Sequence, residues 1–338
     1  MKKSKRVAAG ILAGCFSVSV LFTGCSGKST GSKSVKLEQG AIEENSIVIK
    51  IGNIGVKYSE VQNYCYLMKA QYESSFGDKI WEYPVDKDAT IGDEAKEEIV
   101  NMITQLKVIN ATAEEEKVSL TNDEKDEALQ KAEKVMAEAT EEDKQKYSLS
   151  VQGLSELYEE NALANKMFYI ATDDADTEVS EEEAKQIRIQ YLQVMTEGTN
   201  QNGILIQLND KEKAEALSRA EQLQKEAKNT NDFLELAKKN TDSATTELLI
   251  GKDNTQLEQE VITAAFALQK GKVSEVISTQ TGYYIVYCVN DNDEDATYAR
   301  REEIIEERQT KMFKKKYAKW LGDYEVSISQ SFWKIFNI

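Results

Sequence analysis

The stretch Tyr283 to Val289 restricts most what this chain can fold into. Its side chains alternate, with Tyr283, Ile285, Tyr287 and Val289 on one face and Tyr284, Val286 and Cys288 on the other. Both faces are apolar, so the stretch predicts a central strand. Gly282 supplies the turn into it. The helix upstream, around Ala264, Ala265, Phe266 and Leu268, is expected to stop at Lys270 and Gly271, a basic residue followed by a C-terminal glycine. Ile187 to Val194 (IRIQYLQV) alternates as another strand, and Gly203 to Leu208 predicts a short strand or hairpin partner. Ala214, Leu217, Ala220, Leu223 and Ala227 recur in helical phase between Asp210 and Asn229, and Asp232 caps a further helix carrying Phe233, Leu236 and Ala237. Strand, helix, helix, loop, helix and strands make a compact α+β unit.

That unit occupies a minor part of 338 residues, a length that suggests two domains or so, and 41% apolar residues suffice for real cores although 30% are charged. There is no histidine, which excludes Ser-His-Asp triads and His-ligated metals, and no metal or cofactor is expected. Pro84 is the single proline.

Residues 1–24 are read as a signal peptide. Lys2, Lys3, Lys5 and Arg6 form a positive start, and Val7 to Phe22 is an apolar run too short and too rich in Gly and Ser for a comfortable membrane span. Leu21 to Cys25 (LFTGC) resembles a bacterial lipobox, which implies lipidation of Cys25; it departs from the usual pattern at Phe22, where a small aliphatic residue is common. The Gly-, Ser- and Lys-rich run from Ser26 to Ser34 then reads as a flexible tether. Removing residues 1–24 takes four of the 42 Lys and Arg, leaving 38 against 59 Asp and Glu, a formal net charge of −21. Such a charge opposes binding to nucleic acid and to anionic lipid. It favours basic or unfolded cationic polypeptides, or serves solubility alone. Cys65 and Cys288 are read as buried small apolar residues rather than a disulfide.

Ile47 to Ile51, followed by Gly52 and Gly55, predicts a strand and turn leading into a helix that opens near Ser59 and runs through Tyr64, Leu67, Met68 and Gln71. Ile99, Met102, Ile103, Leu106, Ile109 and Ala113 mark one buried face of the next helix, within Asp93 to Lys117. Thr121 to Glu124 reads as a helix start, followed by Ala128, Leu129, Ala132, Val135 and Met136 in phase. Leu154, Leu157, Tyr158, Leu163, Met167 and Phe168 signal a fourth helix. Asp173 to Glu183 reads as a linker with a capping pattern at Ser180, and Asn290 to Ala296 as an acidic linker. Tyr298 to Leu321 predicts a long helix with Lys311, Lys314, Lys315, Lys316 and Lys319 toward its C-terminal end; acidic neighbours on the helical domain are their expected partner, a membrane surface the other reading. Tyr324 to Ser329 alternates as a strand, and Phe332, Trp333, Ile335 and Phe336 are expected to be exposed.

On the stretches Ile47 to Tyr64, Ile187 to Val194, Ala214 to Ser243 and Ala264 to Tyr287, the chain resembles the parvulin family of peptidyl-prolyl isomerases, in the form of extracellular lipoprotein foldases of Gram-positive bacteria with a SurA-like helical domain. The resemblance implies a mostly helical chaperone domain, completed by the C-terminal helix, into which a parvulin-like domain is inserted as a small antiparallel sheet wrapped by helices. The chain then divides into a signal peptide (1–24), a tether (25–46), a helical domain (47–175), a parvulin-like domain (176–292) and a C-terminal helix and tail (293–338). It also implies pairing into a homodimer, which one sequence leaves open.

By the same resemblance, the family's two catalytic histidines fall on Tyr191 and Tyr284, its acidic or thiol position on Asp242 or Ser243, and its proline pocket on Leu249, Leu257, Val261 and Phe266. Both imidazoles are replaced, and Val261 stands where an aromatic ring is usual. Two tyrosine hydroxyls could tune a hydrogen-bond network; the plainer reading is that they fill a central strand pair. The expected function is therefore a membrane-anchored extracytoplasmic foldase or chaperone for unfolded secreted polypeptides, its isomerase activity weak or lost. The alternatives are an active isomerase with a divergent site and a non-catalytic lipoprotein scaffold.

Overall fold

The computed structural model describes residues 42–199, 205–336 and 338. The signal-peptide stretch, Cys25, most of the tether and the start of Gly203 to Leu208 lie outside the described residues. The described residues form two units, one from residues 42–175 and from 310 onward, the other within residues 176–309.

In the first unit, β1 (Ile47–Ile51) and β2 (Ile54–Lys57) form a hairpin whose turn needs Gly52, at φ +57° and with the Tyr324 ring packed beside it. Helix α1 (Tyr58–Phe76) follows, then a 3₁₀ turn at Asp78–Glu82 and the hairpin of β3 (Pro84–Asp86) and β4 (Ala89–Thr90). Helix α2 (Ile91–Glu115) opens on a capping box in which the Thr90 hydroxyl accepts from Asp93 N and the Asp93 carboxylate accepts from Thr90 N. Helix α3 (Asn122–Glu138) repeats the device with Thr121 and Glu124, and α4 (Glu141–Lys146) and α5 (Val151–Ala171) complete the N-terminal run. The predicted apolar stripes close on one core, with Ile99, Ile103, Leu106, Ile109, Leu154 and Met167 fully covered. Leu129 departs from its stripe and stays exposed, since α3 buries only Ala128, Ala132 and Val135.

In the second unit, after α6 (Glu181–Ala184), come β5 (Ile187–Met195), the small hairpin of β6 (Glu197–Thr199) and β7 (Leu205–Gln207), α7 (Asp210–Asn229), α8 (Phe233–Asn240), β8 (Glu247–Ile250), α9 (Gln259–Phe266), β9 (Ile277–Ser278) and β10 (Gly282–Asn290). The main sheet has the order β8-β5-β10-β9, antiparallel throughout, so β10 lies inside it as its alternation requires. Ala220, Leu223, Phe233 and Ala237 of α7 and α8 cover Leu192, Val194 and Ile285 on one face; Val261, Ile262 and Ala265 of α9 cover Ile189, Tyr191, Tyr284 and Val286 on the other. Gly282 is needed less for a turn than for space, because a Cβ there would collide with the carbonyl oxygen of Val194 on β5. Helix α9 ends at Phe266, earlier than its sequence pattern suggests; Gly271, at φ +79°, serves the following turn and donates its N–H to the Cys288 carbonyl at 2.7 Å.

Helix α10 (Glu294–Leu321) begins within the acidic stretch read as a linker, where the Asp293 carboxylate accepts from Ala296 N at 3.3 Å. The segment 176–183 is held too: Arg308 donates to the Asp176 and Glu178 carbonyls at 3.2 and 3.0 Å and to the Glu183 carboxylate at 2.6 Å. Past residue 310 the helix belongs to the first unit, where Phe313 is fully buried with its ring 5.2 Å from Phe168 and 5.7 Å from Trp320. Strand β11 (Val326–Ile328) then pairs with β1, and α11 (Gln330–Ile335) follows. The tail does not expose four large apolar residues: Phe332 and Phe336 are buried and stacked at 4.7 Å, and Phe332 also meets Tyr58 edge-on. Trp333 and Ile335 alone keep substantial exposure. Cys65 and Cys288 are both buried and free. Burial pushes the Cys65 thiol well above its usual range.

The C-terminal segment is thus part of the core it reaches. Phe313→Ala is expected to lower stability by about 3–5 kcal/mol in a denaturant titration. Ile335→Ala, at an exposed position, should change it by less than about 1 kcal/mol.

Candidate functional site on the central strands

Tyr191 on β5 and Tyr284 on β10 point to the same face of the sheet, because Tyr191 pairs with Val286 and Tyr284 with Gln193 in the antiparallel register. They are diagonal neighbours, with ring centroids 6.1 Å apart and planes tilted by 33°. Both are nearly sealed, at 3% and 6% exposure. Each hydroxyl leads into a separate polar group. Tyr191 Oη lies 2.6 Å from Thr245 Oγ1 and 3.2 Å from Ser243 Oγ. Tyr284 Oη lies 3.4 Å from Thr281 Oγ1, which donates to Glu258 Oε2 at 2.8 Å. The N–H groups of Gln280 and Thr281 donate to Glu258 Oε1 at 3.0 and 3.2 Å.

These bonds set the protonation states. Burial raises the Tyr284 phenol, the Thr281 bond only partly offsets it, and the charge of Glu258 raises it further, so the hydroxyl stays protonated at neutral pH. Burial would also raise the Glu258 carboxyl, but the hydroxyls of Thr279 and Thr281 and the two N–H groups together hold it below the usual carboxylate range. The face therefore offers phenol and alcohol hydroxyls beside one fixed carboxylate. It can donate hydrogen bonds, but it has no imidazole to exchange a proton near pH 7.

The positions singled out in the sequence separate in space. Ser243 reaches Tyr191; Asp242 does not. Its carboxylate meets Arg219 Nη1 at 3.1 Å and accepts from Met195 N at 3.0 Å, pinning the loop to β5. Leu257, Val261 and Phe266 gather on the tyrosine face, with Val261 fully covered and Lys252 Nζ 5.8 Å from the centre of the Phe266 ring. Leu249 is left out. Leu248 and Ile250 take the inward places on β8, so Leu249 points to the opposite side and is 40% exposed. Sequence reasoning missed Thr245, Thr281 and Glu258. The signal available was the density of Ser and Thr in Thr241 to Thr246 and Thr279 to Thr281, flanking the strand pair. Among the described residues no group of three or more His, Cys, Asp or Glu could hold a metal ion.

Two family models match the chain. The SurA-like N-terminal domain matches residues 1–169, half of the sequence, and the PPIC-type PPIASE domain matches residues 204–290, a span that contains Tyr284 but not Tyr191. The Foldase protein PrsA of Clostridium acetobutylicum is 22% identical over 341 residues, covering 95% of this chain and 96% of that one. Its namesake from Staphylococcus aureus is 27% identical over 258 residues, covering 71% and 77%. The crystal structure of foldase protein PrsA from Streptococcus pneumoniae is 18% identical, covers 80% of this chain and 91% of that chain, and superposes with a TM-score of 0.31. On the half-chain match and the sheet unit that follows it, the chain belongs to the SurA-like N-terminal domain family and carries a parvulin-type PPIC domain.

Proposed function

We propose that this chain is a lipid-anchored, extracytoplasmic foldase-type chaperone that binds unfolded secreted polypeptides, and that its parvulin-like domain has weak or no prolyl isomerase activity. The observation that carries the second part is the buried Tyr191–Tyr284 pair, with ring centroids 6.1 Å apart, at the two positions where the resemblance puts the family's histidines. Rotation of an X-Pro bond crosses a barrier of about 18–20 kcal/mol. Lowering it requires a twisted amide held in a desolvated hollow with a donor aimed at it. Here two phenol rings and the sealed Val261 take up the face where such a hollow is implied. The chaperone reading draws on the family match and on relatives named as foldases.

One observation favours an active but divergent site: the Tyr191, Ser243 and Thr245 hydroxyls form a connected donor group beside Leu257. A stopped-flow assay of a prolyl peptide with the full chain separates the two. The expected result is relaxation in the tens to hundreds of seconds of an uncatalysed bond, unchanged by Tyr191→His with Tyr284→His. Fast turnover that falls with Tyr191→Phe establishes the divergent isomerase instead. Suppression of aggregation of a reduced model client, expected here, separates a chaperone from a scaffold without clients.

The anchor has its own readout. Cys25 is the expected lipidation site, and among the described residues no helix is long and apolar enough to cross a membrane. Expressed in a bacterial host, the chain should carry acyl mass at Cys25 and fractionate with membranes. Cys25→Ser should remove both, and an unchanged distribution would refute the anchor.

A further inference from the structure

Helix α10 presents a lysine face that nothing else in the described chain neutralises. Lys311, Lys314, Lys315 and Lys319 fall within an arc of about 140° at 3.6 residues per turn, with Ala318 between them. Lys311, Lys315 and Lys319 are exposed and Lys314 is half-buried. The acidic neighbours expected from the sequence reach only Lys316, on another side of the helix, whose ammonium meets Asp174 at 3.1 Å. None of the four ammonium groups on the face makes a hydrogen bond or an ion pair among the described residues. By helical spacing their nearest carboxylates are Glu307, bound by Arg300 at 2.8 Å, and Asp323, beyond the end of the helix. The helix dipole favours cations only within the last turn, which accounts for Lys319 and leaves the other three without a structural reason.

We propose that this face docks on an anionic lipid surface, bringing the helical unit against the membrane at which the proposed acyl anchor holds the chain. The inference goes beyond the anchor reading and rests on it for location only. Four unpaired cations in a chain otherwise so acidic take their counter-charge from outside the molecule. At about 0.1 M salt, fields fade over about 10 Å, so the face responds to the plane it touches and not to the distant acidic remainder. The stripe from Lys311 to Lys319 holds only lysines and Ala318, with no large apolar side chain to grip a polypeptide. A plane of phosphate headgroups asks for neither, since juxtamembrane lysines attract anionic leaflets through charge alone.

The test uses the full chain carrying Cys25→Ser, so that no acyl group contributes, in sedimentation with vesicles of phosphatidylcholine alone or mixed with phosphatidylglycerol. The chain should sediment with the anionic vesicles only, and release as salt rises. Replacing the four residues together (Lys311→Gln, Lys314→Gln, Lys315→Gln, Lys319→Gln) should weaken binding on the order of a thousandfold. The matching set of Lys→Arg changes should keep it, and melting curves confirm that both sets fold. Equal sedimentation with neutral vesicles, or full binding by the glutamine set, overturns the proposal. It is overturned too if anionic vesicles are ignored and the glutamine set loses aggregation suppression, because the face then serves acidic polypeptides. A chain that is never acylated leaves every one of these readouts unchanged, so the anchor reading fails separately.

Discussion

The first unit depends on a return of the chain. Its core is built from residues before 175 and after 310, and three contacts close it: Phe313 against Phe168, β11 along β1 in register from Ile49–Ile328 to Ile51–Val326, and Phe332 edge-on to Tyr58. Each joins residues more than a hundred positions apart, so each forms only after the ordering entropy of a long closure has been met. The second unit lies wholly within that closure and draws both of its apolar clusters from its own residues. It can therefore complete its sheet without the rest, and once folded it shortens the effective loop that the first unit has to close. Burial of aromatic rings at the closure, rather than surface ion pairs, is what makes the return favourable.

Patterns with a period were legible in the sequence. The alternation of Tyr283 to Val289 gave both faces of β10 correctly, and the helix stripes gave most of the core, because burial on one side leaves a period of 2 or 3.6 residues. Failures occurred where a single contact decides. Leu249 sits in an apolar run of three, and only the pairing of Leu248 with Ile189 and Ile250 with Ile187 shows which members face inward. Phe332 and Phe336 read as exposed because a short terminal helix gives too few turns for a stripe to show. The hydroxyl partners Thr245 and Thr281 carry no periodic signal at all; the first meets Tyr191 across 54 positions, through a loop that runs beside β5 before β8 begins.

The tyrosine pair also fixes what this face of the sheet can offer a ligand. An imidazole and a phenol ring both fill a place on a pleated face, but a phenol puts its single polar atom at the far end of the ring. In this chain the two hydroxyls diverge, Tyr191 toward the 241–246 loop and Tyr284 toward the turn before β10, and each is satisfied there by Thr or Ser. Satisfied hydroxyls stabilise the strand pair and are correspondingly less free to serve a substrate carbonyl. Glu258, saturated by two N–H groups and the Thr281 hydroxyl, is a structural carboxylate by the same criterion.

Helix α10 divides its cations by type as well as by place. Arg300 binds Asp253, Glu303 and Glu307 at 2.8–3.2 Å, and Arg308 gathers the 176–183 segment through two carbonyls and Glu183, all within the second unit. These are uses that suit a planar fork with several fixed donors. The second half of the helix, in the first unit, carries lysine instead, a compact hydrated charge on a flexible stem that binds diffuse negative charge without fixed geometry. Arg300 and Arg308 are occupied in holding the fold and the side chains of four of the five lysines are not. Had the basic half served only to complement acidic neighbours on its own unit, Asp174 would have had company beside Lys316. Its isolation is why the lysine face is better understood as a surface turned toward something outside the chain.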